Sequence, residues 1–115
     1  MLKTLLFREI RYNDNIEDEL AKNEEDLKND SNNIELLQNI AAIYHALKKN
    51  VKAIEIYDKI VNLRPRDHEM KGFLGYLYYE NEELEEAEKH LNESLNLNPM
   101  EPVVLFLLGN IYSRR

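Results

Sequence analysis

Three histidines and a large set of carboxylates are the residues of this sequence whose types could carry chemistry. His68-Glu69 opens like the zinc-protease motif, in which two histidines one helical turn apart hold the metal, but Gly72 stands where the second histidine is required. His90 falls within the acidic stretch 82–93 and reads as part of a solvated helix face, while His45 reads as a groove residue or a tolerated surface one. There is no cysteine, which excludes disulfides and thiolate metal sites. Asp and Glu together number 22, but they lie on what pattern as exposed helix faces, and a catalytic carboxylate needs an enclosing environment to shift its pKa. Gly72, Gly75 and Gly109 fall inside helical patterns and not in a loop that could cradle a phosphate. Asn29-Asp30-Ser31 and Asn92-Glu93-Ser94 match the glycosylation acceptor pattern, which is expected by chance in an Asn-rich chain. The expectation is no enzyme, no metal and no cofactor.

The elements that must position these residues are helices. The 115 residues are 43% hydrophobic and 32% charged, with three glycines and three prolines, a sparse supply of turn residues that suits helices joined by short connections. A net charge of -7 disfavours nucleic acid, whose phosphates need clustered Lys and Arg, and disfavours anionic membrane surfaces. Near the N-terminus Leu2, Leu5, Leu6 and Ile10 are interrupted by Lys3, Thr4, Arg8 and Glu9, unlike a secretory apolar run. The densest apolar run, 103–108, is too short to span a bilayer. The expectation is a soluble, cytoplasmic chain.

The sequence repeats itself with a step of 34 residues. That step carries Tyr44 to Tyr78 and Tyr112, Ala53 to Ala87, Asn62 to Asn96, Leu63 to Leu97, Pro65 to Pro99, Leu74 to Leu108 and Gly75 to Gly109. Within each unit the apolar spacing predicts helix, turn, helix. The first stripe is Leu37, Ile40, Ala41, Ile43, Tyr44 and Leu47 over 34–48, with Asn32 and Asn33 able to cap its start. The second is Ala53, Ile54, Tyr57, Ile60 and Val61 over 51–63, with Asn50 in the turn between them and Pro65 beyond the end. Helices over 67–80 and 83–97, separated by a turn near Asn81, and a last helix over 101–113 follow. Columns of small residues, Ala41–Gly75–Gly109 and Ala53–Ala87, predict close helix approach, and the tyrosine column predicts wedges between units.

Leu74-Gly75 with Tyr78, Ala87 and Pro99 resembles the tetratricopeptide repeat; Leu108-Gly109-Tyr112 matches its first half and Ala53, Tyr57 and Pro65 its second. Leu37, Lys71 and Leu105 stand where that family's leading aromatic is usual, Leu91 replaces the later aromatic, and Ser94 replaces an alanine. The resemblance implies an all-α, right-handed α-solenoid of antiparallel helix pairs, about seven helices, in one domain over 1–115. Its parts would be a degenerate capping repeat over 1–31, repeats over 32–65 and 66–99, and a half repeat over 100–115. In the capping unit, helices over 2–12 and 15–29 are expected, the second carrying Ile16, Leu20 and Leu27 on one side. Glu19 falls on the alanine column there, so either Leu20 slips into its place or the unit packs loosely.

The resemblance also implies a function: an adaptor or scaffold that binds a segment of a protein partner on the concave face lined by the first helix of each pair. Carried over column by column, the partner-binding residues are Gln38, Asn39, Ala42, His45, Gly72, Phe73, Tyr76, Tyr79, Phe106 and Asn110, with Thr4, Arg8 and Arg11 from the first unit and Glu35, Glu69 and Val103 alongside. Some family members clamp acidic chaperone tails with Lys and Arg on these columns. Here Gly72 and Tyr76 replace the basic residues, so an acidic tail is a poor expectation. The last helix is apolar on nearly all sides, from Val103 to Ile111. That predicts either a homodimer paired through 101–113 or a covering helix beyond residue 115. A self-assembling structural protein, or a small chaperone for a secreted client, is the alternative reading.

Overall fold

The computed structural model describes residues 16–114, and all regular structure among them is helical. In chain order the helices are α1 (Ile16–Asn29), α2 (Ile34–Ala46), α3 (Asn50–Leu63), α4 (His68–Glu80), α5 (Leu84–Leu97) and α6 (Pro102–Ser113). The expected helix over 2–12, with Thr4, Arg8 and Arg11, lies outside the described residues.

The repeat is visible in the backbone hydrogen bonds themselves. Helix starts at 33, 67 and 101 are equivalent. Asn33 Oδ1 accepts from the Leu36 N–H at 3.1 Å, and Asp67 Oδ1 accepts from the Glu69 and Met70 N–H groups at 3.1 and 3.2 Å. Glu101 makes no side-chain cap, but Pro102 follows at the first helical position, where it has no N–H to leave unsatisfied. The turns inside the pairs match as well. Lys48 and Glu82 adopt left-handed φ values of 61° and 60°. Lys49 N–H then donates to Tyr44 O at 2.9 Å and Glu83 N–H to Tyr78 O at 3.0 Å, closing a Schellman motif in each turn. The turn therefore centres on Lys48, and Asn50, expected within it, is the first residue of α3.

Packing follows from the small columns. Ala41, Ala53 and Ala87 are fully buried between paired helices, and Leu37, Ile60, Leu74, Leu77 and Leu91 fill the space around them. Each such side chain contributes about 1.5–3 kcal/mol on burial. Gly75 is where α4 and α5 come closest: a Cβ there would lie 2.7 Å from Leu91 Cγ. Leucine in place of the usual aromatic leaves that contact intact. Ser94, in place of the usual alanine, is fully buried and donates its hydroxyl to His68 O at 2.7 Å, satisfying a carbonyl at the start of α4. Lys71 lays its stem against α5 and reaches Glu93 at 3.9 Å.

Consecutive helices pack on one another from α1 to α6, and α4 also touches α6. The radius of gyration, 14.2 Å, exceeds the ~13 Å expected of a compact domain of this size, as an open stack of layers requires. At the N-terminal end α1 buries no residue completely. Leu20 and Leu27 are partly buried against the core while Glu19 is exposed, so Leu20 takes the column position that Glu19 holds by register. Tyr44 fastens the helix by donating its hydroxyl to Glu24 at 3.1 Å, and Lys59 reaches Ser31 O at 2.8 Å.

Two expectations need correction. Gly109, the counterpart of Gly75, has nothing within 4 Å of a would-be Cβ, so close packing does not account for it within one chain. His90 is not on a solvated face: it is buried, stacks on Tyr78 with ring centroids 5.2 Å apart, and its Nδ1 bonds to Glu86 O at 2.9 Å. The tyrosine column also changes along the stack, from buried Tyr44 through half-buried Tyr78 to exposed Tyr112.

Candidate functional site

The first helices of successive pairs, α2, α4 and α6, are joined by side-chain contacts along one face. Gln38 of α2 donates to Met70 Sδ of α4 at 3.4 Å. Two turns further on, His45 Nε2 bonds to Glu80 Oε1 at 2.5 Å, and its ring lies edge-on to Phe73 and Tyr76 with centroids 6.2 and 5.9 Å away. On the other side of α4, Asn110 of α6 donates to the Tyr79 hydroxyl at 3.4 Å. These contacts run across three helices and define a row in which aromatic faces alternate with amides.

Within that row the residues differ in depth. Phe73 is almost wholly buried and packs on Tyr57 with centroids 4.5 Å apart, so it forms the floor, as does buried Gly72. Gln38, Asn39, Ala42, His45, Tyr76, Tyr79 and Asn110 are half-buried, each with part of its surface open. Phe106 is 66% exposed and stands at the rim. Half-buried aromatic and amide groups suit a site that must hold an apolar side chain and pair with an extended backbone.

Glu80 joins the row although sequence reasoning did not single it out. It lies one turn beyond Tyr76 on the same helix face, and that i, i+4 step was the available signal. Its carboxylate bonds both His45 and the Tyr76 hydroxyl, so one acid fixes two rings from adjacent pairs. Burial first, and then this hydrogen bond and charge, push the Tyr76 phenol well above its usual range. Tyr44 and Tyr78 are raised in the same direction, chiefly by burial, with Glu24 and Asp58 respectively as the nearest acids responsible. Each of these hydroxyls is a neutral donor across the physiological range.

Arg114 ends α6 paired with Glu82 at 2.7 Å, a contact between exposed groups. Among the described residues no group of three or more His, Asp and Glu side chains could hold a metal ion. None of the described helices is long and apolar enough to cross a membrane.

Comparisons with known proteins agree with this architecture. The family model described as tetratricopeptide repeat matches residues 34–67 and 68–99. A general transcriptional corepressor, trfA, of Dictyostelium discoideum is 28% identical over 97 residues, which are 83% of this chain and 7% of that protein. The chain thus spans a small fraction of that relative's length. Among solved structures, the first tetratricopeptide domain of Spaghetti (RPAP3), bound to the HSP90 peptide SRMEEVD, superposes with a TM-score of 0.77 at 23% identity. The match covers 86% of this chain and 79% of that one.

Proposed function

The chain belongs to the tetratricopeptide repeat family, a family of protein-interaction modules, and on that premise we propose that the face shared by α2, α4 and α6 holds an extended segment of a partner protein. The observation that carries this reading is the continuous row Gln38–Met70, His45–Glu80–Tyr76 and Tyr79–Asn110, in which three helices present half-buried donors, acceptors and aromatic faces side by side. The corresponding domain of RPAP3 takes a peptide whose printed sequence, SRMEEVD, is rich in acid. The row here offers Glu80 and no Lys or Arg among the side chains just named, and the chain as a whole carries a net charge of -7. A carboxylate-rich tail would meet like charge without the bidentate cations that reward it. The favoured segment is therefore neutral or basic, with an apolar or aromatic anchor seated against Tyr76, Tyr79 and Phe106.

The test compares capture of host proteins by the native chain and by a His45→Ala, Tyr76→Ala double variant of unchanged helicity. Loss of the captured set is expected; full retention contradicts the assignment of the groove. Titration with the acidic heptapeptide SRMEEVD is expected to give no saturable binding, whereas micromolar affinity would overturn the charge argument.

A further inference from the structure

The outer face of α6 has no counterpart of the cover that α5 gives α4. On α4 the column residue Gly75 lies beneath Leu91, whose Cγ would stand 2.7 Å from a Cβ placed there. On α6 the equivalent Gly109 is exposed and open, and around it Leu105, Phe106 and Tyr112 are 47%, 66% and 49% exposed. Helical spacing puts Tyr112, Leu105, Gly109, Pro102 and Phe106 on one arc of the helix, opposite buried Val104, Leu107, Leu108 and Ile111.

We propose that this arc is the dimer interface of the protein, with α6 of a second copy lying antiparallel across it. The arc is complementary to itself. Leu105 and Gly109 stand one turn apart, so a twofold axis near residue 107 places Leu105 of the partner subunit over Gly109 and the reverse. Each leucine then seats on a bare glycine as Leu91 seats on Gly75 within one chain. Charge also selects this face. The chain carries a net charge of -7, so two copies repel over most of their surfaces, but residues 102–113 hold no charged side chain. Antiparallel packing further sets opposite helix dipoles side by side. The exposed arc amounts to roughly 400–500 Å² on each chain, or about 800–1,000 Å² for the pair, at the lower edge of specific interfaces. A reversible dimer with a micromolar dissociation constant follows. This inference is independent of the groove reading.

Sedimentation equilibrium from low to several hundred micromolar protein tests it. The native chain is expected to shift from monomer to dimer and no further. Gly109→Gln meets no obstacle in the monomer and removes the unfavourable glycine from a helix, so its melting temperature at low concentration should rise or hold. It should nonetheless weaken dimerisation by more than about tenfold, because the new side chain fills the hole. Leu105→Gln should do the same by removing the knob. The register is read separately, since the chain has no native cysteine. An equimolar mixture of Leu105→Cys and Gly109→Cys chains should form the mixed disulfide faster than either chain pairs with itself. A native chain that stays monomeric throughout, or a dimer indifferent to both glutamine variants, overturns the proposal. Preferential 105–105 or 109–109 linkage overturns its antiparallel register.

Discussion

Gly75 and Gly109 hold the same place in successive repeats, yet a methyl group added to each would meet different surroundings. At Gly75 it would press into fully buried Leu91, including that residue's backbone N at 3.2 Å, so the neighbour has little room to yield. Gly75→Ala is expected to destabilise the protein by about 1–2 kcal/mol, overpacking outweighing the gain in helix propensity, as read by urea unfolding. Lys48 is the opposite case, an L-residue held at a left-handed φ of 61°. Lys48→Gly should stabilise by about 0.5–1 kcal/mol in the same assay, and a loss would contradict the account of the turn. The tyrosines supply a pH prediction. The folded pKa values of Tyr44, Tyr76 and Tyr78 are raised, so protons are held more tightly in the native state. Their contribution is complete below the ordinary tyrosine value of about 10 and is lost as pH climbs through the higher folded values. Stability measured against pH should therefore fall above about 10. Tyr76→Phe should flatten that fall by removing the most strongly shifted group.

Helices and their pairing were legible at the scale of the element because the same signals recur at the same step. The apolar stripes placed five helices within one or two residues of Ile34–Ala46, Asn50–Leu63, His68–Glu80, Leu84–Leu97 and Pro102–Ser113. Asn33 was legible as a cap because its side chain serves its own helix. The use of Asp67 and the turns at Lys48 and Glu82 were less so, since neither Lys nor Glu advertises a left-handed backbone. Burial of His90 was misread because its acidic neighbours face solvent, while Tyr78, brought beside it by the pairing of α4 with α5, covers its ring. In the groove the column positions named the aromatic and amide residues. They missed Glu80, whose part depends on His45 lying across the α2–α4 boundary, a relation between elements. Asp67→Ala removes the acceptor for two N–H groups and should cost about 1–2 kcal/mol of stability, measured by thermal unfolding.

The whole molecule is a stack in which each layer covers its neighbour, so stability should be graded along it. Helix α1 buries no residue completely, whereas α4 and α5 share the most extensive contact between helices. Amide exchange is expected to be fastest in α1 and slowest in α4 and α5; uniform protection would contradict a layered arrangement. The same layering builds the row from side chains more than 30 residues apart, such as Gln38 and Met70, and leaves α5 with an outward face. The most direct measurement is therefore site-specific photocrosslinking in host extract, with the reactive side chain placed at Tyr76 in the row or at exposed Lys89 on α5. Adducts with partner proteins should form from position 76 and be scarce from position 89. Equal yields from both positions, or adducts from position 89 alone, would contradict a partner held in the groove.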